Sequence, residues 1–585
     1  MKYFLTAFFA ACSLWLYAPA FAAEPRGITL LFTHDLHARL EPDGRPGKSP
    51  SGGFARLSAL AIKERAKNPG GTLLLDAGDF CSGTLFDSIL AQEAPELNAM
   101  GAMGYDAVTF GNHDFEAGPG NVALELAAAN NPRRPAILLS NTLLDPEKPG
   151  LTALAKAFAA WPVKKYAVFE RNGLRIGIFG LMGRQASGYV QTPGISFTDP
   201  VAAASETVKA LREKEKCGLV IALSHSGTAS DRHGRDNSED EELAKAVPGI
   251  DVIISGHTHS LLKTPLTAGK TLIVSSGYWG RNLGILELEK DPAGGFRAAR
   301  YELRHAGAGP VDEEILGMVD RWKAKIDELY LAKYGLKYDS PVAWSFGFTP
   351  PAQVENSTEP LAMGDLAADA FRAGLKAAEG PAYKYAAAAV IPLGLIKSSL
   401  FEGEIKTPDI FRVMPIGAGV DGKAGHSVAA FHLYGADLLR LLEADATIAR
   451  RNPDARLMTA GIRFSWSFSA PPFARVKEVS LEEPDGSYKP LEEGRLYRIV
   501  TSEHAALYMR LFFNPPIVPL NSEGTPLKNI KEALVLSGGP GERIALKEWV
   551  ALAHFLSSFP RTGPGGLPQV PDRYRTPRPS ITVLP

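Results

Sequence analysis

Residues 28–34 (ITLLFTH), 71–79 (GTLLLDAGD), 106–112 (DAVTFGN), 136–141 (AILLSN), 175–183 (RIGIFGLMG), 218–225 (GLVIALSH), 251–259 (DVIISGHTH) and 271–277 (TLIVSSG) are short apolar runs separated by amphipathic stretches. Continuous apolar runs of this length indicate strands buried on both faces, and the segments between them read as helices that cover a sheet. From Ile28 to about Glu289 the pattern predicts an α/β sandwich with mixed sheets. Nearly every run ends in a polar cluster. Open α/β sheets assemble their sites at the carboxyl ends of strands, so the chemistry is expected in those clusters.

The chain has 585 residues, 45% hydrophobic and 22% charged, enough for two or three domains. Its 63 basic and 64 acidic residues nearly balance, which excludes bulk attraction to a nucleic acid polymer or an anionic membrane. Any anionic ligand must be held locally. Residues 1–23 (MKYFLTAFFAACSLWLYAPAFAA) place Lys2 before an apolar run and Ala20-Phe21-Ala22, the pattern of a signal peptide cleaved near Ala22/Ala23. Phe9-Ala10-Ala11-Cys12 faintly resembles a lipoprotein cleavage site, but the apolar stretch before it is short. No later run approaches about 18 apolar residues, so no stable membrane anchor is expected and the product is read as periplasmic or secreted. Only Cys81 and Cys217 follow the signal. One sits just past the carboxyl end of a strand and the other just before the amino end of another. In a parallel sheet those ends lie on the order of 20 Å apart, so two free thiols are expected.

The composition divides the rest of the chain. After a first domain over 24–310, residues 311–339 contain DEEILGMVDRWKAKIDELYLAKY, apolar at helical spacing and charged on the other face, which reads as a linking helix. A second α/β domain over 340–537 has a helix near Leu361–Leu375 and strands at 386–396, 429–434 and Tyr497–Thr501. Residues 538–585 are rich in Pro and Gly; one helical piece (Leu546–Leu556) is expected there, followed by an extended tail over the surface.

Five strand-end clusters carry metal-ligating residues: Asp35 with His37, Asp79, Asn112 with His113, His225, and His257 with His259. A single buried His is more often a satisfied core residue. Asp-x-His and His-x-His in extended backbone, however, place both side chains on one face. So many ligand-type residues at one end of one sheet are poorly explained as core. The mix of imidazole, carboxylate and one amide without thiolate suits two divalent ions such as Mn, Zn or Fe. A bridging carboxylate, most simply Asp79, would hold them roughly 3.5–4 Å apart, where a bridging hydroxide can attack a phosphate ester in line.

Thr33-His34-Asp35-Leu36-His37, Gly78-Asp79 through Gly83, Gly111-Asn112-His113-Asp114, Ser224-His225 and Gly256-His257-Thr258-His259 follow the order of the TNDxHG, GDxxxG, GNHE, SH and GHTH motifs of calcineurin-like metallophosphoesterases. With the signal peptide, linking helix and second domain, the chain resembles the secreted bacterial 5'-nucleotidase/UDP-sugar hydrolase family. The resemblance implies a four-layer metallophosphoesterase sandwich with mixed sheets, joined by a helix to a 5'-nucleotidase-type α/β domain. It further implies one metal on Asp35, His37, Asp79 and His259, and another on Asp79, Asn112, His225 and His257. His113 would assist the transition state or protonate the leaving oxygen. Family members orient that ring with a carboxylate three residues on, usually Asp; here it is Glu116, whose longer arm can still accept the imidazole hydrogen bond.

In the second domain the resemblance thins. The family holds its nucleotide with NGGGIR, PFGN and a late F-x-x-x-x-G-D stretch. The corresponding segments here run Ile391 to Lys397, Pro415 to Ala418, and His504 to Arg510. Lys397 replaces the Arg, Ile416 the first ring and His504 the second, and Arg510 falls near the Asp. Ile offers no π face and Lys no bidentate fork, so base recognition is expected to be weak; Tyr508 or Phe411 could supply a substitute ring, although either residue reads more simply as core. MPIGAGVDGKAGHS (414–427) and KEWVALAHFLSSFP (547–560) are similar to segments of a bacterial branch whose substrate the motifs do not define. The expected activity is hydrolysis of nucleotides or related small phosphate esters. The alternatives are a phosphomono- or diesterase for non-nucleotide esters, a thiosulfate-ester hydrolase disfavoured by the intact Asn112-His113 pair, and a metal-retaining binding protein without turnover.

Overall fold

Two six-stranded sheets pack face to face in the first 305 residues. The computed structural model describes residues 27–584 except 45–48, 149, 191, 229–237, 349–360, 416, 450 and 539–542. The signal peptide expected over residues 1–23 and the ring position Ile416 therefore lie outside the described residues. In spatial order, the first sheet runs Phe296–His305, Asn282–Lys290, Ile28–Thr33, Thr72–Asp76, Ala107–Val108 and Ala136–Ile137. Its last four strands are parallel; Asn282–Lys290 pairs antiparallel to Ile28–Thr33, and Phe296–His305 pairs antiparallel to Asn282–Lys290. The second runs Leu266–Ala268, Thr271–Val274, Val252–Ser255, Leu219–His225, Leu174–Met182 and Tyr166–Arg171, with the middle four parallel.

The two-residue period of a strand sorts its apolar residues into layers. Leu30 and Phe32 join Ile176, Ile178, Leu219 and Ile221 between the sheets. Leu31, Leu74 and Val108 face a helical layer that includes Phe54–Arg65. Phe179, Val220 and Ile253 face helices Pro200–Lys209 and Glu239–Ala246. Four layers result, and the parallel strands all deliver their carboxyl ends to one rim.

Helix Glu313–Leu329 begins at Asp312, whose carboxylate accepts the N–H groups of Glu314 and Ile315, and buries Ile315, Val319, Trp322 and Ile326 on one face. Beyond it, the Tyr330 hydroxyl donates to the Ala424 carbonyl at 2.6 Å, and the Tyr338 hydroxyl donates to Glu41 at 2.6 Å. The second domain has a four-stranded sheet in the order Val428–Tyr434, Leu496–Ser502, Ala388–Pro392 and Leu457–Ala460. Helix Ala362–Glu379 covers it.

The last residues depart from a surface drape. Helix Glu548–Ser557 is a core element: Trp549, Val550, Ala551, Leu552 and Leu556 are wholly buried. Ile581–Leu584 extends a second sheet by pairing parallel to Ile462–Ser467. Pro and Gly here punctuate the chain between packed elements and do not mark exposure. Cys81 and Cys217 are unpaired and buried.

Candidate functional site

Asp35 follows Thr33, the last residue of its strand, by two positions, and three backbone bonds zip its loop to the next one: Asp35 N–H to Gly78 O, His37 N–H to Asp79 O, and Ala38 N–H to Phe80 O, all between 2.8 and 2.9 Å. The loops are strained. Asp35, His37, Asp79, His257 and His259 all take positive φ, between 49° and 72°, where an L side chain costs roughly 1–2 kcal/mol each. Five such residues at one rim indicate a geometry imposed for function. Close approach adds a constraint: a Cβ on Gly111 would lie 2.2 Å from Asp79 Oδ1.

The structure brings Asp35, His37, Asp79, His113, His225 and His259 into three overlapping clusters whose ligand atoms lie within 4.8 Å of one another. His37 Nε2 is 3.1 Å from His259 Nε2, and His225 Nε2 is 3.1 Å from Asp79 Oδ2. Tautomers follow from the other ring nitrogens. His225 Nδ1–H donates to the Ala77 carbonyl at 2.9 Å and His257 Nε2–H to Gln185 Oε1 at 3.0 Å, leaving His225 Nε2 and His257 Nδ1 as lone-pair donors. Asp35 Oδ1, Asn112 Oδ1 and His225 Nε2 are buried without a hydrogen-bond partner among the described residues. Lone pairs turned toward one another, three of them orphaned, fit divalent cations.

Charges within the rim bias one another. Burial works against ionisation of Asp35 and Asp79, but His259 and His34 hold the first, and His225 and His113 the second, below the usual carboxylate range. Burial lowers His225 while Asp79 pushes it up to about 10. Burial drives His37 and His257 down to about 3, reinforced by His113 and His225 respectively. His113 is opposed by burial but lifted by Glu116 and Asp79 to about 9. Its Nδ1 lies 2.7 Å from Glu116 Oε1, and Glu116 Oε2 accepts the Ser82 hydroxyl at 2.8 Å.

Three contributors were given no role from the sequence. Asp114 accepts the N–H groups of Asp79, Gly111 and Cys81. His34 spans from Asp35 Oδ2, 2.6 Å from its Nδ1, to the Ser276 N–H at its Nε2. Gln185 holds His257. A polar residue just beyond a strand end was the available signal for Gln185; His34 and Asp114 stand inside quoted motifs, but nothing in the spacing gave them a role.

The rim opens on a cleft of about 1860 Å³ whose far wall is the second domain. Lys397 and His504 line it. The His504 ring stacks on His426, with centroids 4.4 Å apart and 27° between planes, and lies 4.5 Å from Tyr508, which also faces the cleft. Burial, then His426, pushes His504 down to about 4. Arg510 is exposed on helix Glu503–Phe512 and does not line the cleft. Phe411 is wholly buried against Trp549 and is no substitute ring.

Residues 28–261 match the calcineurin-like phosphoesterase family, and residues 343–509 match the 5'-nucleotidase C-terminal domain. The chain is 28% identical over 505 residues to the trifunctional nucleotide phosphoesterase YfkN of Bacillus subtilis, covering 81% of this chain and 31% of that longer protein. It is 25% identical over 522 residues to a 5'-nucleotidase of Diplobatis ommata, covering 83% and 82% of the two chains. Its fold matches that of a 5'-nucleotidase precursor from Thermus thermophilus, with a TM-score of 0.65 at 24% identity over 95% and 99% of the chains. Among the described residues no helix is long and apolar enough to cross a membrane.

Proposed function

We propose, from the premise that the chain belongs to the calcineurin-like phosphoesterases carrying a 5'-nucleotidase C-terminal domain, that it is a metal-dependent hydrolase of nucleotides. The observation that carries this is the set of orphaned buried atoms, Asp35 Oδ1, Asn112 Oδ1 and His225 Nε2, at a strained rim facing a cleft. Asp35, His37, Asp79 and His259 would hold one ion, and Asp79, Asn112, His225 and His257 a second, with Mn, Zn or Fe suited to the donors. Such ions supply Lewis acidity: they neutralise phosphoryl oxygens and acidify water.

The protein's own groups do the rest. Glu116 accepts Nδ1–H and fixes the His113 ring, so Nε2 is left for the cleft that the ring lines. There it can hydrogen-bond the reacting phosphoryl group and hand a proton to the leaving oxygen. The Asp79 carboxylate also accepts the His113 N–H at 2.8 Å, coupling the ring's position to the metal ligands. Lys397 and the His504–Tyr508 face would receive the leaving group. Residues 1–23 are read as an export signal, with action outside the cytoplasm.

A second reading, a phosphoesterase for non-nucleotide esters, draws on one observation: His504 and Tyr508 pack against each other on one helix, 4.5 Å apart, and do not face each other as two sides of a base-sized slot. Rates on AMP, UDP-glucose, a cyclic nucleotide and an aryl phosphate with metal-loaded protein separate the two. Preference for the nucleotides is expected, and equal rates on all four remove the nucleotide claim.

A further inference from the structure

Arg39 lies two residues after His37 and lines the same cleft; its backbone N–H donates to the Leu36 carbonyl at 3.1 Å, while its side-chain Nε is left out of the rim's hydrogen bonding among the described residues. It is 8% exposed, its guanidinium carbon sits 4.1 Å from the centroid of the Trp279 ring, and its buried Nε has no acceptor among the described residues. The acidic groups that act on it are engaged elsewhere. Asp43 accepts from Arg281 at 2.7 Å, and Asp87 accepts the N–H groups of Ser82, Gly83 and Thr84. Arg412 adds a second cation to the cleft wall, its charge shared with Asp409.

A nearly buried guanidinium with an unpaired N–H is a cost to a fold, reduced when a ligand supplies the acceptor. A guanidinium is planar by resonance, and lying over an indole restricts its orientation, which preorganises the fork for a bidentate oxyanion. We propose that Arg39, stacked on Trp279 and flanked by Arg412, is an anion subsite outside the metal-ligand rim that receives a second acidic group of the substrate, carried beyond the phosphorus under attack. This rests on the phosphoesterase reading above. Ligands with two anionic groups, such as phosphoanhydrides and bisphosphates, would be favoured over simple monoesters. Free phosphate has the same oxyanion chemistry, so the test separates the two.

The experiment is calorimetric titration of metal-loaded wild type and Arg39→Met with methylenediphosphonate and with orthophosphate, together with thermal melting. Met keeps an apolar stem over the indole and removes the charge. Diphosphonate affinity is expected to fall at least about tenfold while orthophosphate affinity stays within about twofold. The melting temperature should be unchanged or higher, because an unpaired buried charge is gone. Arg39→Lys, with the fork removed and the charge kept, should also weaken the diphosphonate alone. Equal losses for both ligands, no loss for either, or a destabilised Arg39→Met protein overturns the proposal. A second orthophosphate equivalent that disappears in Arg39→Met, with the diphosphonate unaffected, assigns the site to released phosphate and also overturns it. Arg39-dependent diphosphonate binding in a protein that hydrolyses no ester keeps the subsite and removes the phosphoesterase reading; hydrolysis with Arg39-independent binding does the reverse.

Discussion

The carboxylate of Asp114 accepts the backbone N–H of Asp79 at 2.9 Å, so the residue next to His113 fixes the loop that carries Asp79, proposed above as the ligand common to both ions. The same carboxylate binds Gly111 N–H at 2.7 Å and Cys81 N–H at 2.9 Å, tying two strand ends into one unit. Asp114→Asn turns an amide donor toward N–H groups that need an acceptor. Metal affinity should fall about 10–100-fold, as for other partners that orient ligands, with the fold retained. Competition titration against a chelator, alongside circular dichroism, checks this.

Glu116 accepts from His113 on one oxygen and from Ser82 on the other. Glu116→Gln can present an amide N–H to the ring and leave it in the wrong tautomer. A kcat loss of about 10²-fold or more is expected, with metal content unchanged. Glu116→Asp should keep more activity than Glu116→Gln. Metal loss in Glu116→Gln would show that the residue acts on the ligands instead.

Trp549 is 0% exposed, and its indole N–H donates to the Tyr330 hydroxyl at 3.3 Å. Trp549→Ala should destabilise the protein by roughly 3–5 kcal/mol, as a core aromatic does. A tail lying on the surface would give a change within about 0.5 kcal/mol in urea unfolding.

Glu125, 1% exposed, accepts the Cys81 thiol at 3.4 Å, and burial reinforced by Asp114 pushes its carboxyl up to about 8. The folded form then holds a proton that the unfolded chain has lost. The contribution is fully present below the ordinary carboxylate range and is lost as pH rises through the folded value. Stability should fall between about pH 4.5 and 8, and Glu125→Gln should flatten that slope. An unchanged slope in denaturant midpoints across this window would place the titration elsewhere.

The convergence of the strand-end clusters was legible because several buried runs of one sheet each close on Asp, His or Asn, which a core alone explains poorly. Asp114, Arg39 and Trp279 were not: each acts through its loop's path, and neither a charge beside a motif nor one aromatic residue at positive φ has a period to read. The second domain was legible as an α/β unit, yet the partnership of His426 with His504 depends on distant segments packing together. Phe411 followed its apolar character into the core, the simpler of the two roles open to it, and the helix Glu548–Ser557 lies where its apolar run put it; the segment after it, marked by Pro and Gly for the surface, instead ends in a sheet strand at Ile581–Leu584.

The most direct test is the number of divalent cations bound per chain, measured by elemental analysis of metal-saturated wild type and Asp79→Ala. Two equivalents in the wild type and loss of both in the variant are expected, because Asp79 is read as the ligand common to both ions. No uptake by the wild type, or two equivalents retained without Asp79, would contradict the account.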